Sequence, residues 1–121
     1  MSFTVSFEKE GCVFVSITSP CTIQDHYSAL ERALELCSQH ANSRILVDLR
    51  SMTESFSTVG CFNFGQKLAE QPKYLRIAHV LPHKLQVKED VKFTSTVEAN
   101  RGKSTAEFET LEEAKEWLLS R

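Results

Sequence analysis

The chain has 121 residues, 41% of them hydrophobic and 25% charged, and a formal net charge of -2 at neutral pH. One domain of that length buries roughly two thirds of the surface its unfolded chain exposes, so neither a disulfide nor a metal is needed to hold it together. The balanced charge lacks the basic footprint of a nucleic-acid binder. With no run of 18 apolar residues and no basic-then-apolar leader, the expectation is a cytoplasmic protein without membrane insertion.

Phe3, Val5 and Phe7 alternate with Ser2, Thr4, Ser6 and Glu8, the period of a strand with one dry and one wet face. After a turn at Lys9 to Gly11, Cys12 to Thr18 carries Val13, Val15 and Ile17 on one side and Cys12 and Phe14 on the other. That predicts an antiparallel hairpin whose first strand lies nearer an edge. Beyond Ser19 and Pro20, the residues Ile23, Tyr27, Leu30, Leu34, Cys37 and Ala41 recur at alternating intervals of 4 and 3, one apolar stripe on a long helix capped by Thr22. Its polar back carries Asp25, His26, Glu31, Arg32, Glu35 and Gln39. The stripe is too short for a coiled coil, so this helix is expected to lie on a sheet.

Ile45 to Leu49 is apolar on both sides of the pleat apart from Asp48, as suits a central parallel strand covered on both faces. A second helix is predicted from Ser57 to Gln71, with Cys61, Phe62, Phe64, Gly65, Leu68 and Ala69 on a broad buried face. Gly65 costs about 1 kcal/mol of helix propensity there, which implies a close approach of this helix to the sheet. Pro72 closes the helix, Leu75 to Leu81 supplies the next buried strand and Pro82 ends it. Val87 to Ala99 follows as a helix with Val87, Val91, Phe93, Thr94 and Val97 inward and Asn100 to Gly102 as its C-cap. Ala106 and Phe108 mark a short final strand, and Thr110 with Glu113 forms a capping box before Ala114, Trp117 and Leu118 of a C-terminal helix. The sum is one α/β domain over residues 1–121: a mixed five-stranded sheet, with an N-terminal antiparallel hairpin and then parallel βα units, and four helices that need not be shared equally between the faces.

Open α/β sheets bind ligands beyond the carboxyl ends of their parallel strands. That edge collects Asp48, Arg50, Ser51, Ser57, Thr58, Pro82, His83 and Thr110, with Arg50, Ser51 and His83 as a pocket rim. Ser57 and Thr58 open the second helix, where a phosphate would meet free N–H groups and the positive end of the dipole, so both are candidate phosphorylation or contact points. The plainer reading of Ser57 as an N-cap weighs more. For Asp48, a strand-end anchor accepting loop hydrogen bonds outweighs a catalyst or metal ligand, since no second carboxylate stands at a matching strand end.

Val59 falls on the polar side of its helix, beside Asn63 and near Phe62, an apolar patch of the kind that marks protein contacts. His79 and His83 are four apart but belong to strand and loop rather than one helix face, so zinc is not expected. Cys37 belongs to the apolar stripe and His40 faces a helix end, with no third group to complete a nucleophilic set. Lys84, Lys88 and Lys92 recur every four residues, yet Glu89 and Asp90 interrupt them, which reads as a solvated helix face. Catalytic, metal and cofactor sites are therefore not expected, and Cys12, Cys21, Cys37 and Cys61 read as free thiols.

The phrases ILVDLRSM and STVGCF, together with the element order, resemble the STAS family of sulphate-transporter and anti-sigma-factor-antagonist domains. The ending VEANRG…AEFETLEEAKEWL is similar to a STAS-like group of small bacterial proteins whose fold is related to CRAL-TRIO lipid-binding domains. The resemblance implies that Asp48 is the acidic residue ending the strand and Gly60 the glycine of the helix-opening turn. Ser57 stands where the family has Asp and Thr58 where signalling members carry their phosphorylatable serine, so the acidic neighbour of the regulated switch is missing. The leading expectation is a non-enzymatic STAS-like binding or regulatory module acting through protein–protein contacts, a homodimer included, at the second helix and its preceding loop, with the patch of Val59, Phe62 and Asn63 as contact surface. The alternative is a carrier or sensor of a small apolar ligand or lipid, suggested by the CRAL-TRIO relationship and by Phe56, Phe62, Phe64 and Phe93 near the helix–sheet layers. Such a carrier needs a cavity of roughly 300 Å³ or more.

Overall fold

Alternating side chains commit the first two strands to a hairpin: β1 (Phe3–Glu8) pairs antiparallel with β2 (Cys12–Thr18), Phe3 opposite Ile17 and Glu8 opposite Cys12. The computed structural model describes residues 3–18, 21–72, 74–101 and 104–120. Gly11 closes the turn at φ +101°, a region that a Cβ disfavours. Strands β3 (Arg44–Ser51), β4 (Arg76–Val80) and β5 (Ser104–Phe108) then add in parallel, giving the spatial order β1-β2-β3-β4-β5 with β1 at an edge. Four helices complete the chain: α1 (Ile23–Gln39), α2 (Thr58–Ala69), α3 (Leu85–Ala99) and α4 (Leu111–Leu119). The predicted mixed α/β architecture is the one observed. Ser19, Pro20 and the Gly102 end of the expected C-cap lie outside the described residues. No helix among the described residues is long and apolar enough to cross a membrane.

Each parallel crossover moves one place along the sheet in the same direction, so crossovers of one hand deliver α1, α2 and α3 to one face. There, Val15, Ile45 and Ile77 of the sheet pack with Leu30 of α1, Leu68 of α2 and Val91 of α3. The other face, with Cys12, Leu46, Ala78 and Val80, is met by Ala114 and Leu118 of α4. Arg76 fastens the end of α4. Its guanidinium donates to the carbonyls of Ser120 (2.7 Å) and Trp117 (2.9 Å) and stacks 4.2 Å from the indole centre, adding a charged donor at the carbonyl end of the helix.

Three expectations about faces are corrected. In α1 the buried residues are His26, Ala29, Leu30, Ala33, Leu36 and Cys37, so the helix is rotated from its predicted stripe and His26 points inward rather than to solvent. Two alanines on that face let the helix sit close to the strands, while Tyr27 and Leu34 spread to the margins half-buried. In α2, Phe62 is exposed, and Gly65 meets α3 rather than the sheet: a Cβ there would lie 2.8 Å from the Thr94 carbonyl oxygen and 2.9 Å from the Val97 Cβ. In α3, Phe93 is exposed while Ser95 and Glu98 are buried, because Val87, Val91, Ser95 and Glu98 share one helical face and Phe93 lies opposite it.

Candidate functional site

At the strand ends, the Asp48 carboxylate accepts from the Arg50 backbone N–H (3.1 Å) and from its Nε and Nη2 (both 2.9 Å). Burial pushes this carboxyl up, but the Arg50 hydrogen bonds and charge, with His83 nearby, outweigh it and hold Asp48 below the usual carboxylate range. Arg50, Ser51 and His83 are exposed around it. Ser57 is the N-cap of α2, its Oγ accepting from the Gly60 N–H at 3.0 Å, and exposed Thr58 is the first helical residue. Val59 is 68% exposed and Phe62 39%, beside exposed Asn63, with the Arg101 guanidinium 5.8 Å from the Phe62 ring. Thus Ser57, Thr58, Val59, Phe62 and Asn63 share the outer start of α2, whereas Asp48, Arg50 and Ser51 form a separate group with His83. The strand order never reverses, so this edge lacks the crevice that a switch point creates. Lys84 reaches across it to the Thr53 carbonyl (3.3 Å), and Lys88 pairs with Glu109 (2.8 Å).

A better-formed site lies beneath α2. This helix leans on α3 through Gly65 instead of pressing on the strands, and a half-open cavity of about 80 Å³ remains between it and the sheet. Cys61, Phe64 and Leu68 line one wall, and Ile45, Val47 and Ile77 another. Towards α1 the lining is aromatic, with the His26 ring edge-on to Phe56 (4.6 Å) and to Phe64 (5.8 Å). Asp90 of α3, also in the lining, accepts a hydrogen bond from the Ser55 hydroxyl of the loop before α2.

Three polar side chains in this lining stand out. Nε2 of His26, both ring nitrogens of His79 and Oγ of Ser95 are buried and have no hydrogen-bond partner among the described residues. Next to His79, the wholly buried Glu98 places Oε1 3.5 Å from Nε2, yet both its oxygens also lack hydrogen-bond partners. Glu107, the cross-strand neighbour of His79, has its carboxyl pushed up by burial, with His79 and Lys92 opposing and Glu98 adding to the push. Nine in ten buried polar groups in folded proteins find a partner, so this many unsatisfied polar atoms around one part of the interior is unusual.

Burial also holds the His26 imidazole down at about 4, from an ordinary value of 6.5, with the Asp25 charge opposing. The ring is therefore neutral at pH 7. Between those two values the unfolded chain takes up a proton that the folded chain refuses, so stability falls as pH drops through that window. The expected loss from pH 7 to pH 5 attributable to His26 is about 2 kcal/mol. Urea unfolding at both pH values checks it: His26→Phe should shrink the pH difference by that amount, and an unchanged difference would remove His26 as its source.

What this arrangement does chemically is hold rather than react. Burial pushes the Cys61 thiol up despite hydrogen bonds with Thr94 and Phe56, raises Cys12, and takes Cys37 to about 11, so these thiols stay protonated and poorly nucleophilic. Among the described residues no three His, Cys, Asp or Glu side chains are placed to hold a metal ion. His26, Ser95 and Glu98 were not among the residues singled out from the sequence. The signal for the last two was the spacing of 4, 4 and 3 that joins Val87, Val91, Ser95 and Glu98, and for His26 the rival stripe through Ala29, Ala33 and Leu36. Set against family models, curated proteins and solved structures, the chain finds no match.

Proposed function

We propose that this domain is a non-enzymatic, STAS-like binding module of a bacterial cytoplasm that engages another protein, or a second copy of itself, through the outer face of α2 and the loop before it. The observation that carries the reading is the 68% exposure of Val59 in the first turn of α2, with Phe62 on the same helix and Phe93 on the adjoining α3 also exposed. One exposed valine is ordinary, but Val59 and Phe62 lie three apart on the outer side of one helix, and Phe93 is exposed on the helix packed against it. Thr58 is the better modification point of the two hydroxyls, because Ser57 already caps the helix and a phosphate there would displace the Gly60 contact. Light scattering across a concentration series, together with affinity capture, tests the proposal. Val59→Glu should abolish the partner or the self-association and Thr58→Glu should change it; if both variants behave as wild type, the reading is lost.

A second reading, a carrier or sensor of a small apolar ligand, is favoured by the cavity under α2. Its volume of about 80 Å³ is well short of the roughly 300 Å³ that a lipid-sized ligand requires. Only Phe56 and Phe64 of the four phenylalanines line it. The reading therefore narrows to a small molecule.

A further inference from the structure

We infer that the cavity beneath α2 is a binding site for a small neutral ring compound carrying one hydroxyl or N–H group, an inference that rests on the small-ligand reading and gives it a chemistry. Size comes first. One water needs roughly 10–15 Å³ of such space, so about 80 Å³ accommodates a ligand of about half a dozen non-hydrogen atoms, the size of a single ring. Shape agrees, because His26, Phe56 and Phe64 already meet edge to face, and a flat ring entering beside them extends the same favoured geometry.

Polarity then narrows the class. His26 of α1, His79 of β4 and Ser95 of α3 all belong to the lining, and His26 Nε2, His79 Nδ1 and Ser95 Oγ are buried without a hydrogen-bond partner among the described residues, while His79 Nε2 faces Glu98 Oε1 at 3.5 Å. A bare hydrocarbon would fill the volume and leave each of these groups unsatisfied, whereas a hydroxyl or N–H pairs with at least one of them. Sites built to hydrogen-bond a ligand group discriminate strongly against the analogue that lacks it. Charge is disfavoured. The lining is mostly apolar, its one carboxylate, Asp90, is engaged by Ser55, and Glu98 stands beside His79 rather than in the lining, so an ion would shed its hydration without gaining a free counter-charge.

The test is a two-dimensional NMR titration of the full chain with phenol, benzene and benzoate as probes, reading signals of cavity residues such as Ala29, Leu68 and Ile77. Phenol is expected to shift these signals and to bind roughly tenfold more tightly than benzene, with benzoate leaving them unmoved. In His26→Phe and in Ser95→Ala the advantage of phenol should narrow to about twofold while benzene binding persists, since the ring space remains. Equal binding of phenol and benzene by wild type would overturn the hydrogen-bonding inference and leave the small-ligand reading standing, and tighter binding of benzoate would overturn the neutral class. If no probe moves the cavity signals, water occupies the space and both readings of the cavity fall.

Discussion

Gly65→Ala is expected to destabilise the protein even though alanine is the better helix former, and Gly65→Val to cost about 2–3 kcal/mol. If Gly65 were merely tolerated within α2, alanine would gain about 1 kcal/mol of helix propensity. The packing opposes that gain: an added Cβ comes within 2.8 Å of the Thr94 carbonyl oxygen and 2.9 Å of the Val97 Cβ. The first of these is backbone of the neighbouring helix, which cannot swing away as a flexible side chain would. Relief requires α2 to retreat from α3, and in doing so to change its height over the cavity that it roofs. Chemical denaturation of wild type and both variants settles the sign. A stabilised Gly65→Ala would mean that the two helices yield freely and that the glycine is not what brings them together.

The architecture was legible because each element carries its signal locally. Alternation marks β1 and β2, the unbroken apolar phrase Ile45 to Leu49 marks a strand covered on both sides, and the Thr22 and Thr110 caps set two helix starts. Even the gathering of three helices on one face follows from strand order and a single crossover hand. Side-chain direction within the helices was harder to read, since apolar periodicity assigns every charged or polar residue to water. His26, beside Asp25, therefore counted as solvated, although Phe56 and Phe64 enclose it from distant parts of the chain. Glu98 is hidden for the same reason, and Phe93, expected inward, lies on the exposed side of α3. Ser57 and Asp48 were easier: a serine before a helix and an aspartate at a strand end each bond backbone within a few residues, so their partners Gly60 and Arg50 are local. The strand-end edge was legible as a place but not as a crevice, because whether one opens depends on the order in which the strands assemble.

His79→Leu is expected to lower stability by about 3–5 kcal/mol, whereas the double variant His79→Leu/Glu98→Leu should recover most of that loss and end close to wild type or above it. The single change removes the imidazole 3.5 Å from Glu98 and leaves a wholly buried carboxyl group whose oxygens have no hydrogen bonds among the described residues. Glu107, opposite His79 on β5, would then present a second acid to the first with no imidazole between them. The double change removes both buried polar groups and fills their space with apolar side chains, so the desolvation they suffer on folding disappears with them. A double-mutant cycle measured by chemical denaturation at pH 7 isolates this coupling. If the two losses simply add, the cluster is a net stabiliser supported by bound water, and its unpaired atoms do not indicate a ligand. If the double variant matches or exceeds wild type, the chain retains an interior histidine and glutamate at a cost to its own stability. Residues that violate packing logic without a structural return concentrate at sites of function. Loss of the phenol preference in that same stable double variant would then tie the cost to the cavity.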